Sequence, residues 1–408
     1  MENRDFIVFG LQPWDINIGS TCKYTAMEIS RKNRVLFVNP PIHRSSLLTS
    51  RSSPQVMKRI RILQGKEPDL VQVSPTLWVL YPKTVIESIN WIRSHALFNF
   101  FNYRNEVRFA KKIREAMGRL NFRNIVVLDD NSMIIGFCLK ELLKPDLFIY
   151  LIRDAVLFVS YHKRHGTILE PKLVAKSDLT VTNSDYFCNY ARQFNPHSYM
   201  IGQGCDLSMY SDKDGTLPVP EDVRNIPKPV IGYVGALTTI RLDIEILVEI
   251  ARARPEWNLV LVGPEDEKFA RSELHHMPNV IFLGRKEPNQ LPGYIKGFDV
   301  TLNPQVLNKI TDVNYPLKID EYLAMGKPVV ATRTTFMSYF KDYTYLPLTK
   351  EEYVENIEKA LKENSPELEK RRKEFAAGHS WENFVGKIYS HASAIMRAKE
   401  STQTRSGK

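Results

Sequence analysis

Cysteine is scarce: Cys22, Cys138, Cys188 and Cys205 are the only four in 408 residues, and no two form a Cys-x-x-Cys pair. That excludes a disulfide scaffold and a structural zinc, and it suits a reducing compartment. No apolar run approaches the roughly 20 residues that a bilayer-crossing helix needs. The N-terminus carries Glu2 and Asp5 before a short apolar run at 6–9, which reads as a first strand rather than a signal peptide. Internal repeats and low-complexity blocks are absent as well. What is present is core material: 43% hydrophobic residues, with 20 Phe, 18 Tyr and 5 Trp. A disordered or collagenous chain is excluded, and the length suits two or three domains. A cytoplasmic protein is the expectation.

Acidic residues are missing from one half more than from the other. Residues 1–210 hold 28 Lys and Arg against 18 Asp and Glu, whereas 211–408 hold 28 of each. The net charge of +10 therefore belongs to the first half. Residues 44–66 contain Arg44, Arg51, Lys58, Arg59, Arg61 and Lys66 and no acid; 104–123 is a second basic segment. Between them, 84–103 is rich in aromatics, including Trp91, Phe98, Phe100 and Phe101. Cations around such a stretch suit an anionic membrane surface at the inner face of the cell membrane. The same composition could serve nucleic acid, or simply solvate basic helices over an ordinary core.

Short continuous apolar runs alternate with helical patterns. Runs at 6–9, 35–38, 78–81, 125–128, 147–151, 179–182 and 198–201 predict strands buried on both faces, as in a parallel sheet. Residues 206–229 are poor in apolar residues and contain Pro218, Pro220, Pro227 and Pro229. A second series follows at 230–234, 259–262, 280–282, 300–302, 328–332 and 344–346. The fold class expected is α/β, two Rossmann-like parallel-sheet domains facing a cleft. The expected division is 1–210, a linker at 211–229, a second domain at 230–378, a terminal helix at 379–399 and a disordered tail at 400–408. Such folds bind ligands beyond the carboxyl ends of their strands.

The most informative stretch runs from Val313 to Thr332. Pro316 suits a helix start and Gly326 its end. Lys318 and Glu321, three apart, share one face of that helix. A cation in the first turn opposes the helix dipole. A surface salt bridge would explain the pair, but so would an anion at the helix N-terminus held by Lys318, with Glu321 accepting hydrogen bonds from hydroxyls.

Pro316-x-Lys318-x-x-Glu321-Tyr-Leu-Ala-x-Gly326-x-Pro-Val-Val-Ala-Thr332 resembles the donor-site signature of nucleotide-sugar-dependent glycosyltransferases of the GT-B fold, in particular the retaining family 4-like group. The likeness continues through the loop after Gly235, through Gly263 and Gly284-Arg285, and to His379-Ser-Trp381 before the terminal helix. It implies that Glu321 binds the ribose and that Lys318, with the amides from Leu317 onward, binds the diphosphate. Arg241 stands where the second of two loop cations is usual; Ala236 occupies the place of the first. Gly284 and Arg285 would contact the base. Val313 occupies the first place of a glutamate pair eight residues apart, so the pair is incomplete. In the first half, Gly19 and Ser20 follow the first strand and would approach the sugar and phosphate. Asp154 and His162 are the candidates for acceptor chemistry.

No metal and no further cofactor is expected beyond the UDP- or GDP-sugar co-substrate. Asp212 and Asp214 have Asp-x-Asp spacing but lie in the Pro-rich stretch. The reading is a metal-independent, retaining hexosyltransferase acting on a carbohydrate or lipid-linked acceptor in cell-surface polysaccharide or glycolipid synthesis. Alternatives are a GT-B phosphorylase or epimerase and a non-catalytic sugar-nucleotide-binding subunit. Nucleic acid is not an expected partner, because a two-domain α/β texture with a donor signature accounts for more residues.

Overall fold

The structure, a computed structural model, describes residues 1–16, 20–212 and 214–406, with side chains described up to residue 401. The chain divides into unit 1, Met1–Gly204 with Trp381–Lys408, and unit 2, Cys205–Ser380.

Unit 1 contains β1 (Asp5–Gly10), β2 (Arg34–Val38), β3 (Ile42–His43), β4 (Leu70–Ser74), β5 (Leu77–Leu80), β6 (Val85–Ile86), β7 (Ile125–Asp130), β8 (Leu147–Ile152), β9 (Leu179–Thr182) and β10 (Ser198–Met200). Eight of them form a sheet in the order β10-β9-β8-β7-β1-β2-β5-β4, while β3 and β6 pair separately. All neighbours in the large sheet run parallel except β4, which pairs antiparallel with β5. β1, β7 and β8 are buried along their whole length, as their unbroken apolar runs require. The chain winds away from β1 in both directions, so the topological switch point lies between β1 and β7. The terminal helix, Trp381–Ser406, packs Phe384, Val385, Ile388 and Ala392 into this unit's core. It passes the expected end at 399 and takes in most of the tail expected to be disordered; residues 407 and 408 lie outside the described residues.

In unit 2, β11 (Val230–Val234), β12 (Asn258–Val262), β13 (Val280–Gly284), β14 (Val300–Asn303) and β15 (Val329–Ala331) form a parallel sheet ordered β13-β12-β11-β14-β15. Its switch point lies between β11 and β14.

Two local expectations need correction. The stretch at 211–229 is part of unit 2 rather than a free linker, because Leu217, Val219 and Val223 pack on that unit's core. Residues 344–346 do not form a strand; Tyr345 alone bridges to Val330. Pro347 follows, with no N–H to extend the ladder. Further along, residues 350–377 form two helices, Lys350–Glu363 and Pro366–Ala377, the second capped by Ser365 and opened by Pro366.

Candidate functional site

The loops following β11, β12, β13 and β14 all leave the same edge of the unit 2 sheet. Gly235 follows β11 at φ +141°, and a Cβ built there would lie 2.2 Å from Cε and 2.6 Å from Nζ of Lys318. The lysine stem can cross this loop only because residue 235 has no side chain. Gly263, after β12 at φ +154°, is the second requirement: a Cβ on it would stand 1.9 Å from the Gly235 carbonyl oxygen. Two glycines thus let two loops touch, and Lys318 lies against them with Nζ 5.7 Å from the Tyr233 ring centre.

Lys318 belongs to the helix Leu317–Ala324, whose N-terminus has no side-chain cap among the described residues. Its orientation is set from behind. The Tyr322 hydroxyl accepts a 3.0 Å hydrogen bond from the Val234 amide, tying the helix to β11. Asp320 is fully buried; it accepts from the Tyr315 hydroxyl at 2.6 Å and pairs with His379 Nδ1 at 2.7 Å. The other ring nitrogen of His379 lies 3.0 Å from the Tyr339 hydroxyl. Lys318 and Glu321 therefore project from a helix held by a closed polar network. Burial raises the Glu321 carboxyl to about 7, against the opposing pull of the Lys318 cation and a hydrogen bond with Tyr210.

Leu317 is exposed at the start of that helix. Arg241 is exposed in the loop after β11, its backbone bonded to Thr238 and Val306. Gly284 ends β13 at φ +67° with open space around it, and Arg285 beside it is exposed. These four share the edge on which Gly235, Gly263, Lys318 and Glu321 meet. Val313 is buried, and its neighbour Asp312 clips Thr335 through that residue's amide and hydroxyl.

Unit 1 has its own cavity, of about 240 Å³, at the β1–β7 switch point. Gly10, His43, Asn131, Ser132, Met133 and His162 are among its lining residues. Asn131 Nδ2 and Ser132 Oγ are buried there with no hydrogen-bond partner among the described residues. The Asn131 side-chain oxygen is already occupied by the amides of Arg153 and Asp154. His162 reaches this cavity, and burial lowers its imidazole below the usual histidine value. Asp154 pairs instead with Arg153, whose guanidinium also holds Asp130. Ser20 caps the helix Thr21–Ile29 by accepting from the Lys23 amide. Gly19 lies outside the described residues.

Sequence reasoning missed Asn131 and Ser132, although a polar string directly after the unbroken strand at 125–130 was a usable signal. It also missed Asp320, whose importance lies in its pairing with His379, far away in sequence.

Residues 228–363 match the family model Glycosyl transferases group 1. The chain thus contains a glycosyl transferase group 1 domain, carried on a GT-B fold. The sequence is 33% identical over 167 residues to TuaH of Bacillus subtilis (strain 168), a protein assigned as a teichuronic acid biosynthesis glycosyltransferase. That match covers 37% of this chain and 40% of the relative, so the chain spans about two fifths of the relative's length. Among solved structures, sucrose-phosphate synthase from Thermosynechococcus elongatus superposes with a TM-score of 0.65 at 16% identity, covering 97% of this chain and 100% of that one. Anabaena HepE in complex with UDP gives 0.65 at 13% identity over 96% and 100%. The α,α-trehalose 6-phosphate synthase of Burkholderia multivorans gives 0.66 at 10% over 98% and 100%. At such identities the likeness is one of fold.

Proposed function

We propose that this chain is a metal-independent hexosyltransferase that moves the sugar of a UDP- or GDP-sugar, with retention at the anomeric carbon, to a carbohydrate or lipid-linked acceptor in cell-surface polysaccharide synthesis. One observation carries the proposal: Lys318 lies against Gly235 at an uncapped helix N-terminus, with Glu321 one turn along. Lys318 and the free helix amides take the diphosphate, aided by Arg241. Glu321 accepts from the ribose hydroxyls, and Gly284 with Arg285 faces the base. As the anomeric carbon–oxygen bond breaks, the charge developing on the diphosphate is met by these cations and dipoles. The acceptor hydroxyl oxygen bonds to the same carbon as that bond breaks, and its proton passes to the departing diphosphate oxygen. In unit 1, His162 lines the cavity and serves the acceptor.

TuaH's assignment supports a polysaccharide product, and the HepE structures with UDP and with UDP-glucose support a UDP-sugar. Asp212 is not offered as a metal ligand: its carboxylate is taken by Lys296 and the Leu217 amide. The test is turnover of a panel of UDP- and GDP-sugars by purified protein, with Lys318→Ala and Glu321→Ala beside it and EDTA in one arm. Turnover that survives EDTA and is lost in both variants supports the reading. Wild-type rates in both variants would overturn the site, and loss on chelation restored by Mg²⁺ would overturn metal independence.

A further inference from the structure

Unit 1 displays large apolar side chains on four segments that bond to one another. Trp91, in the segment before the helix His95–Leu120, is 74% exposed. That helix follows with Leu97, Phe100, Phe101 and Tyr103 exposed in its first turns, while Phe98 and Asn102 turn inward. Leu48, on the short helix Arg44–Thr49, is 80% exposed, and Phe158, Val159 and Tyr161 are exposed where the helix Ser160–Lys176 begins. Hydrogen bonds join the pieces. Arg164 donates to the carbonyls of Asn90 and Trp91, Asn90 donates to the Tyr161 carbonyl, and Ser45 pairs with Ser88.

Charge on this face has one sign. Residues 88–105 and 155–169 contain no Asp or Glu. Arg51, Arg93, Arg104, Lys163 and Arg164 are exposed and make no ion pair among the described residues. Glu87 is the nearby acid, and Arg44 and Arg108 both engage it. These cations stand among unburied aromatic rings with no acid neutralising them among the described residues. Contiguous apolar patches of this kind mark interaction sites. Tryptophan and tyrosine among cations fit the headgroup region of a bilayer, where an apolar ring and a polar edge are satisfied together. No helix among the described residues is long and apolar enough to cross a membrane, so the contact would be peripheral.

We infer that this face, built from the segment around Trp91 and the starts of the helices His95–Leu120 and Ser160–Lys176, docks the protein on an anionic membrane surface. The cations supply attraction to anionic headgroups, and Trp91, Leu97, Phe100 and Phe101 enter the interface. The stretch at 44–66 contributes less than its composition suggests. Arg59 is buried near Asp15, Lys58 reaches Asp15 and the Tyr81 hydroxyl, and Arg61 pairs with Glu67. The docking face borders the unit 1 cavity through Asn90 and Tyr161, which line it. This deepens the proposed function, and rests on it, only in placing a lipid-linked acceptor beside that cavity.

The experiment is cosedimentation of the full chain, without donor, with vesicles of phosphatidylcholine alone or mixed with phosphatidylglycerol. Two triple variants accompany the wild type: Trp91→Ala/Phe100→Ala/Phe101→Ala and Arg93→Glu/Arg104→Glu/Lys163→Glu. All six positions are exposed, and UDP affinity with circular dichroism checks that each variant folds. Binding is expected on the mixed vesicles and not on the neutral ones, weakening as the Debye length falls from about 30 Å to about 3 Å between low and high salt. The charge variant should lose about fivefold per reversed residue at least, and the aromatic variant at least about tenfold at low salt. Equal binding to both vesicle types, binding to neither, or unchanged binding in both variants overturns the inference. Self-association abolished by the aromatic variant, without vesicle binding, would assign the face to a second copy and overturn it too. Since no donor is present, vesicle binding can fail while sugar transfer stands, and the reverse.

Discussion

The Asp320 carboxylate and the His379 imidazole are joined by a 2.7 Å hydrogen bond inside unit 2, on the side of the helix Leu317–Ala324 away from Lys318's contact with Gly235. His379 comes two residues before the chain passes from unit 2 into the terminal helix. The bond thus ties the helix bearing Lys318 and Glu321 to the last turn of the unit's own chain.

Removing the carboxylate should loosen both ends. Asp320→Ala leaves the Tyr315 hydroxyl and His379 Nδ1 buried without their partner, at about 1–3 kcal/mol each. Urea denaturation should show a loss of about 2–5 kcal/mol, and UDP should bind more weakly than this variant's folded fraction explains. Asp320→Asn keeps an acceptor and should lose less on both measures. Full UDP affinity in the folded Asp320→Ala protein would mean the network does not aim Lys318 and Glu321.

Glycine positions separate close approach from backbone strain. Gly263→Ala places a methyl 1.9 Å from the Gly235 oxygen, a backbone atom that cannot move aside. It should cost more than about 3 kcal/mol. Gly284→Ala meets open space and bears only the cost of a left-handed backbone, about 1–2 kcal/mol. Thermal melts of the two variants check the order; equal shifts would mean the two loops can separate without penalty.

The unbroken apolar runs made the parallel sheets legible, because strands buried on both faces have no polar alternation to confuse them. β9 and β11 carry the bounds that the sequence suggested. The sequence shows an aromatic stretch at 84–103 and a basic segment at 104–123, and one helix, His95–Leu120, runs from the first into the second. Leu97, Phe100 and Phe101 sit on its exposed face, which erases the apolar period that identifies a helix. β4 was missed because Gln72 and its neighbours face solvent on a sheet edge. Lys318 and Glu321 were legible as residues of one helix. Asp320 and Asn131 were not, because a buried polar residue is meaningful only through distant partners.

Donor affinity should depend on pH through Glu321. Its carboxyl is raised from 4.5 to about 7, so near pH 6 it is mostly protonated and above pH 8 ionised. The ionised form is the better acceptor for ribose hydroxyls. UDP-glucose carries no phosphate group that titrates in this range, so its affinity should rise from pH 6 to pH 8, with the midpoint near 7. In Glu321→Gln the dependence should vanish. Calorimetric titration at several pH values checks it, and a parallel rise in the variant would assign the effect to another group.

Unit 1 should lose stability as pH rises from about 4.5 to about 8, because it buries carboxyls that resist ionisation. Burial raises Glu106 from 4.5 to about 8 and Glu170 from 4.5 to about 7. In the unfolded chain both release their protons near 4.5; in the folded chain they keep them to much higher pH. Between those values the unfolded state binds fewer protons, so stability is full below about pH 4.5 and falls as pH rises through 7 and 8. Glu106 makes the cleaner test. Its Oε1 accepts from the Cys138 amide at 2.7 Å, and its Oε2 is buried with no hydrogen-bond partner among the described residues. A neutral acid there offers one acceptor and one donor, and so does glutamine. Glu106→Gln should therefore match the wild type near pH 4.5, exceed it increasingly up to about pH 8, and keep a constant lead above that. Urea midpoints across that range decide the matter: two curves that stay parallel would mean Glu106 ionises in the folded chain as readily as in the unfolded one.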